Sequence, residues 1–233
     1  MRLLKQGSQI LGQLALAQEC YFCNSPAGLE LLCPECLRQL PEPTPSACPV
    51  CALPTPGAQV CGACLAHPPC FDATIARFRY TFPINHLIHG LKYRHHLAIS
   101  RCLGRMMLDK LPPLPPADGL LPVPLSRQRL AQRGFNQSVE LARALSSATG
   151  IPLLIDGYTR SLDTVPQATL PWKARHANIR GAFECSLNLA GKRLIVVDDV
   201  MTTGASLNEF ARTLKKHGAT HITNWVLARA CRD

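Results

Sequence analysis

The chain has 233 residues, twelve of them cysteine, and a formal net charge of +10. Its length suits one medium domain plus a small module, and no apolar run approaches the roughly 20 residues that span a bilayer, which argues against membrane insertion. The basic balance fits a protein that handles phosphate-rich ligands, and the composition reads as reduced, soluble and cytoplasmic.

Near the start, Arg2 and Lys5 precede leucines, but Gln6, Ser8, Gln9 and Gln13 break the apolar core that a signal peptide needs. Residues 1–19 therefore read as an amphipathic helix. Next, Cys20-x2-Cys23-x9-Cys33-x2-Cys36 recurs as Cys48-x2-Cys51-x9-Cys61-x2-Cys64 with identical spacing. Thiolates two residues apart on a tight turn can reach one ion, and two such turns complete the tetrahedral four-cysteine set of a structural zinc site. Two zinc ions are expected; sequential ligation, one ion per repeat, is simpler than the alternative of an interleaved pattern because each repeat already closes its own set. The rivals are disulfides, thioredoxin-like redox pairs and an iron–sulfur cluster, but redox motifs seldom come as spaced quartets and disulfides suit secreted chains. A site with four protein ligands leaves no open position, so these ions stabilise a module with little core of its own and do not catalyse. Eight thiolates and two zinc ions bring the formal +10 to about +6, still basic. Cys70, Cys102, Cys185 and Cys231 lack ligand spacing and read as buried or idle thiols.

Proline clusters at residues 41–45 and 112–116 mark boundaries. Between them residues 72–80 read as a strand and residues 84–111 as one or two helices, with Ile84, Leu87, Ile88, Leu91 and then Ile99, Cys102, Leu103, Met106 in register. Lys92, Tyr93, Arg94, His95 and His96 interrupt those stripes. They read as a solvated helical face or turn, with phosphate binding as the alternative; His86 and His89 read as packing or surface residues. Residues 120–124 are expected to be the first strand of an α/β core. That strand runs into a loop, residues 126–137, carrying Arg127, Arg129 and Arg133, which can bind pyrophosphate in bidentate fashion. A helix over residues 138–147 and a strand near Leu153 follow.

The most informative stretch is residues 195–206. Residues 194–197 are apolar and rich in β-branched side chains, as in a strand buried on both faces of a parallel sheet. Asp198 and Asp199 stand at its carboxyl end, placed to accept hydrogen bonds from vicinal hydroxyls directly or through a divalent cation. Thr202, Thr203, Gly204, Ala205 and Ser206 then lead into a helix, with Leu207, Phe210, Ala211 and Leu214 in helical register and Gly218 at the cap position. Hydroxyls, a glycine and backbone N–H groups at a helix start form an anion site. A last strand covers residues 222–227. The alternating pattern predicts a doubly wound α/β fold.

The order of apolar strand, acidic pair, TTG loop and helix resembles the 5-phosphoribosyl-1-pyrophosphate (PRPP) motif of the type I phosphoribosyltransferases. That resemblance assigns Asp198 and Asp199 to the ribose hydroxyls, and Thr202, Thr203, Gly204, Ala205 and Ser206 to the 5-phosphate. Together with the paired CxxC repeats, LKYR at Leu91, PVP at Pro122, RGFNQ at Arg133, and the spaced Gln167, Leu170, Arg175, Asn178, Ala182 and Phe183, the chain resembles the ComF/GntX family across nearly its whole length. The resemblance implies a type I phosphoribosyltransferase-like parallel sheet flanked by helices over residues 71–233. Residues 1–70 would form an N-terminal helix and a small double zinc-ribbon module. It also implies a link to natural competence, DNA uptake or the use of extracellular DNA, with PRPP or a related sugar phosphate as ligand.

Two functions follow from the resemblance. In the first the protein is a transferase of the glycosyltransferase class, using Mg with PRPP. Asp198 and Asp199 orient the ribose, Arg127, Arg129 and Arg133 stabilise the departing pyrophosphate, and the acceptor is unnamed. In the second it is a non-catalytic adapter for single-stranded DNA and DNA-uptake proteins, whose pocket only senses PRPP or a nucleotide. Lys92, Arg94 and Arg101 are then the expected DNA contacts.

Overall fold

The computed structural model describes residues 18–28, 30–93, 97–109, 116–161 and 179–231. Residues 1–17 of the expected N-terminal helix, residues 94–96 and residues 162–178 lie outside them. Each cysteine repeat folds alike. A hairpin of β1 (Gln18–Glu19) and β2 (Pro26–Gly28) carries the first cysteine pair, and a short helix α1 (Pro34–Arg38) starts directly after Cys33. In the second repeat a single antiparallel bridge, Ala47 to Pro54, stands in place of the hairpin, and α2 (Gly62–Ala66) starts directly after Cys61. Asn24 and Ala52, each one residue past the second cysteine of a pair, take left-handed φ values of 57° and 58°. The backbone repeats too: Cys20 N–H donates to Ser25 as Cys48 N–H donates to Leu53, and Leu37 N–H to Cys33 as Leu65 N–H to Cys61.

The remaining elements are β3 (Ala73–Arg79), α3 (Ile84–Tyr93), α4 (Leu97–Leu108), β4 (Gly119–Pro122), α5 (Arg127–Arg133), α6 (Gln137–Thr149), β5 (Tyr158–Arg160), β6 (Phe183–Cys185), β7 (Arg193–Met201), α7 (Ala205–Lys216) and β8 (His221–Arg229). Four strands form one parallel sheet in the order β3-β8-β7-β4, while β5 and β6 make a separate antiparallel pair. Because successive strand residues face opposite sides, the apolar runs of β7 and β8 supply two cores at once. Ile195, Val197, Trp225 and Leu227 pack with α3, α4, α6 and the first cysteine repeat. Leu194, Val196, Ile222 and Val226 pack with α7 and the second repeat. The result is a parallel sheet flanked by helices on both faces.

Its topology locates the site. From β4 the chain crosses through α6 to Leu153, which bridges Leu120 in parallel on the side away from β7. From β7 it crosses through α7 to β8, in the opposite direction. The reversal makes the crevice at the carboxyl ends of β4 and β7 a topological switch point, where ligands enter open α/β sheets.

Four expectations need correction. The sheet does not begin at residues 120–124: β3 precedes β4 and forms the far edge. The loop expected over residues 126–137 contains α5, because arginine, glutamine, leucine and alanine are good helix formers and Gly134, at φ 73°, stops the helix in a left-handed cap. The strand near Leu153 reduces to one bridge. Finally, Asp198 and Asp199 lie within β7, which runs on to Met201 in ladder with Arg229 of β8.

Candidate functional site

The crevice is built from four chain segments. Asp198 and Asp199 come from β7. Ser138, buried in the first turn of α6, donates its hydroxyl to Asp198 Oδ1 at 2.9 Å, and Asp199 N–H donates to the same oxygen at 2.9 Å. Asn136 sets that helix start: its side chain accepts from Ser138 N–H at 3.0 Å and donates to Val123 O at 3.0 Å. From α3, Lys92 Nζ reaches to 2.5 Å from Asp199 Oδ2, and both side chains are largely buried, 20% and 6% exposed. Arg133, at the end of α5, donates to Gln137 Oε1 at 3.2 Å, and its charge acts on both Lys92 and Asp199.

Burial and the neighbouring Asp199 charge push the Asp198 carboxyl up to about 7, against the pull of the Ser138 hydroxyl and Lys92. Burial acts on Asp199 in the same direction, but Lys92 outweighs it and holds that carboxyl below the usual range. The two acids thus divide, one held as the ion and one titrating near neutrality.

The loop after β7 is shaped for close approach. Gly204 takes φ 79°, and a Cβ there would lie 2.7 Å from Met201 Cε, so only glycine fits without strain. Thr203 Oγ1 accepts from Ala205 N–H at 3.1 Å, and α7 starts at once. Beneath it lies Arg229, 3% exposed. Its guanidinium donates to Cys51 O at 2.7 Å, Met201 O at 2.9 Å, Ala230 O at 2.6 Å, and Thr202 O. The loop base is thereby tied to the second cysteine repeat.

Of the residues singled out from sequence, Asp198, Asp199, Arg133 and the loop over residues 202–206 gather at the crevice. Arg129 lies four residues before Arg133 on the same face of α5, whereas Arg127 is exposed on another. Lys92 is not a solvated helical residue: it continues the buried stripe of Ile84 and Ile88, which is the signal that could have found it. Sequence reasoning also missed Ser138 and Arg229. The first follows Asn136-Gln137, a helix start at a strand's carboxyl end; the second is a cation closing an apolar strand. Of the expected DNA contacts, Arg101 is exposed. Arg94 and, from the spaced motif, Arg175 lie outside the described residues.

The two cysteine sets each converge within one repeat, Cys20, Cys23, Cys33 and Cys36 in the first and Cys48, Cys51, Cys61 and Cys64 in the second. Cys23 Sγ lies 3.6 Å from Cys33 and from Cys36, and Cys51 Sγ 3.6 Å from Cys61. Tetrahedral zinc with sulfur at about 2.3 Å requires sulfurs roughly 3.8 Å apart. Burial opposes ionisation of Cys20 and Cys48, but backbone N–H groups pointing at their sulfurs bring them down to about 6 and about 7. Burial and the neighbouring thiols push Cys36 and Cys64 upward. A divalent cation is what allows all four thiolates to coexist. All twelve cysteines are unbridged, and burial raises Cys102 to about 11, as for an inert thiol.

These features define a class, a double zinc ribbon joined to a phosphoribosyltransferase-type sheet. The family model for the double zinc ribbon domain matches residues 11–65, and that for the phosphoribosyl transferase domain matches residues 131–232. The chain is 33% identical over 219 residues to the DNA utilization protein YhgH of Salmonella typhi, covering 90% of this chain and 96% of that one. It is 34% identical over 182 residues to competence protein F of Haemophilus influenzae, covering 74% and 80%. A solved structure of the allosteric regulatory enzyme of purine biosynthesis is 24% identical, with a TM-score of 0.38 over 55% of this chain and 25% of that one. The chain belongs to the ComF/GntX family. No helix among the described residues is long and apolar enough to cross a membrane.

Two outcomes are expected. The purified protein should carry about two zinc ions by elemental analysis, and Cys33→Ser should lose about one of them; a metal content near zero with the fold intact would refute the zinc assignment. The free protein should also lose stability as pH rises. The Asp198 carboxyl is raised from its unfolded value near 4 to about 7, so its contribution is complete below pH ~4 and disappears as pH climbs through ~7. Asp198→Asn should flatten urea midpoints measured between pH 5 and 8; an unchanged slope would show that Asp198 is not the titrating group.

Proposed function

We propose that the crevice binds PRPP with Mg²⁺ and that the protein is a phosphoribosyltransferase acting in the use or uptake of DNA, as the names of its relatives suggest. The observation that carries this reading is the Asp198–Asp199 pair at the switch point, followed directly by a glycine-kinked hydroxyl loop and a helix start. A ribose presents vicinal hydroxyls to carboxylates, and its 5-phosphate suits backbone N–H groups at the head of α7. Asp198 and Asp199 would orient the ribose while residues 202–206 hold the 5-phosphate. Arg133, with Arg129 on the same face and Arg127 nearby in sequence, would stabilise the pyrophosphate as the anomeric C–O bond breaks. Magnesium would add positive charge on that leaving group. The bond then forms to an acceptor lone pair, with loss of the acceptor's proton. The two zinc ions remain structural.

The pair offers the sharper test. Asp198→Asn with Asp199→Asn keeps the shape and removes both charges, so affinity for Mg-PRPP by calorimetry should fall tenfold or more, about the worth of one charged hydrogen bond. Unchanged affinity would place the site elsewhere. Pyrophosphate release with candidate amines and bases distinguishes turnover from binding alone.

An adapter role for single-stranded DNA has one observation in its favour. Tyr21, Phe22, Phe82 and His86 form a continuous row with ring centroids 5.4, 6.1 and 5.3 Å apart, and Phe82 is 67% exposed. Phe82 follows the carboxyl end of β3, which runs parallel to β7 through β8, so the row lies towards the same end of the sheet as the crevice, though at its far edge. Exposed aromatic faces stack bases without sequence preference. In this reading Phe82→Ala should weaken single-stranded DNA binding roughly tenfold, from a stacking worth of about 1–3 kcal/mol per base, and leave the salt slope intact because no phosphate contact is lost. Fluorescence titration at several salt concentrations measures both; DNA binding that is absent even at low salt removes the adapter.

A further inference from the structure

A lysine against an acidic pair that must accept hydroxyls is paradoxical, since it occupies the acceptor the ligand needs. Lys92 Nζ sits 2.5 Å from Asp199 Oδ2 in a crevice where both side chains are mostly shielded. The helix that carries it is held firmly. Ile84, Leu87, Ile88 and Leu91 bury one face of α3 in the core, and a Cβ at Gly90 would lie 2.5 Å from the Tyr21 hydroxyl, so the first cysteine repeat is packed against the turn that carries Lys92. Two adjacent carboxylates, Asp199 buried and Asp198 partly so, would cost several kcal/mol without a counter-ion. Lys92 supplies one, and Arg133 adds a second positive charge within electrostatic reach of Asp199.

A sugar pyrophosphate changes that balance. It brings hydroxyls that need carboxylate acceptors, and a polyanion that needs cations within a side chain's length of them. The Lys92 stem is long, unbranched and rich in rotamers, whereas Asp199 is fixed by the strand. We propose that Lys92 is an exchangeable counter-ion, paired with Asp199 in the free protein and handed over to the phosphates of bound PRPP as Asp199 turns to the ribose hydroxyls. This rests on the PRPP reading of the crevice. The exchange lets one cation stabilise the empty site and then serve as ligand, and it keeps bare divalent cations off the acidic pair until the sugar phosphate arrives.

Lys92→Met keeps most of the stem and removes the charge, and it separates the two duties. Bare Mn²⁺, followed by its electron paramagnetic resonance, should bind the variant roughly tenfold tighter than the parent, while Mg-PRPP measured by calorimetry should bind roughly tenfold weaker. A purely structural role would shift both affinities together or neither. Lys92→Arg keeps the charge and should stay near the parent in both, and Lys92→Gln replaces the methionine variant if that one does not fold. In an Asp199→Asn background Lys92→Met should still weaken Mg-PRPP binding, because the phosphate contact remains to be lost; no further loss there would reduce Lys92 to a partner of Asp199 and overturn the handover. A parent that binds Mg-PRPP while Lys92→Met and Lys92→Gln bind it equally well overturns the inference and leaves the PRPP reading standing. A parent that does not bind Mg-PRPP overturns both.

Discussion

A single buried guanidinium holds the architecture together. Arg229 closes β8, donates to the last carbonyl of β7 and to the first of the loop beyond it, and reaches Cys51 O in the second cysteine repeat. Burial lowers its affinity for the proton, and the thiols of Cys51, Cys231 and Cys64 push the other way. A buried cation hydrogen-bonded to four carbonyls is costly to remove because those partners would be left unsatisfied in a dry interior. Strand end, loop base and metal ribbon are thus a single unit. The left-handed conformation of Gly204 is anchored only a few bonds away.

The charges around the crevice follow from placing two carboxylates side by side on a buried strand. One of them can stay ionised only beside a cation, and Lys92 and Arg133 fill that need for Asp199. The other relaxes by holding its proton to higher pH, with the Ser138 hydroxyl as its partner. This is a poised arrangement, because the acidic and basic groups that neutralise one another in the crevice are the same groups that, under the proposed PRPP reading, would sort the hydroxyl and phosphate ends of a sugar phosphate. A pocket for an apolar ligand or a neutral base would have no use for that division.

Much of this could be read from the chain alone where one local rule governs. Cysteine spacing gave both cysteine sets because ligand geometry leaves few options, and the apolar run of residues 194–197 marked a central strand because both its faces are buried. Errors arose where tertiary context extended or overrode a local pattern. Polarity ended the expected motif strand at Val197, but its ladder with β8 continues to Met201. The three arginines read as a phosphate-binding loop, although residues 127–133 also favour a helix and the glycine after them stops it. Lys92 read as solvated because lysine usually is, while its register with Ile84 and Ile88 placed it inward. No single-sequence rule gives the partner of a buried lysine, which here lies more than a hundred residues away across the sheet.

The two metal ribbons reach different halves of the crevice, which gives a physical reason for having two. The first repeat packs through Tyr21 against Gly90 and the buried face of α3, and so fixes the helix that delivers the Lys92 cation. The second accepts Arg229 through Cys51 O, bracing the strand ends beneath the loop over residues 202–206, and also takes the Thr74 hydroxyl at Val50 O near the amino end of β3. Each ribbon has too little apolar mass to hold such a position by itself; four thiolates around one ion give it the stiffness that a larger core would otherwise provide. The Lys92 side and the loop side of the crevice therefore each lean on a separate cysteine set, on opposite faces of one sheet.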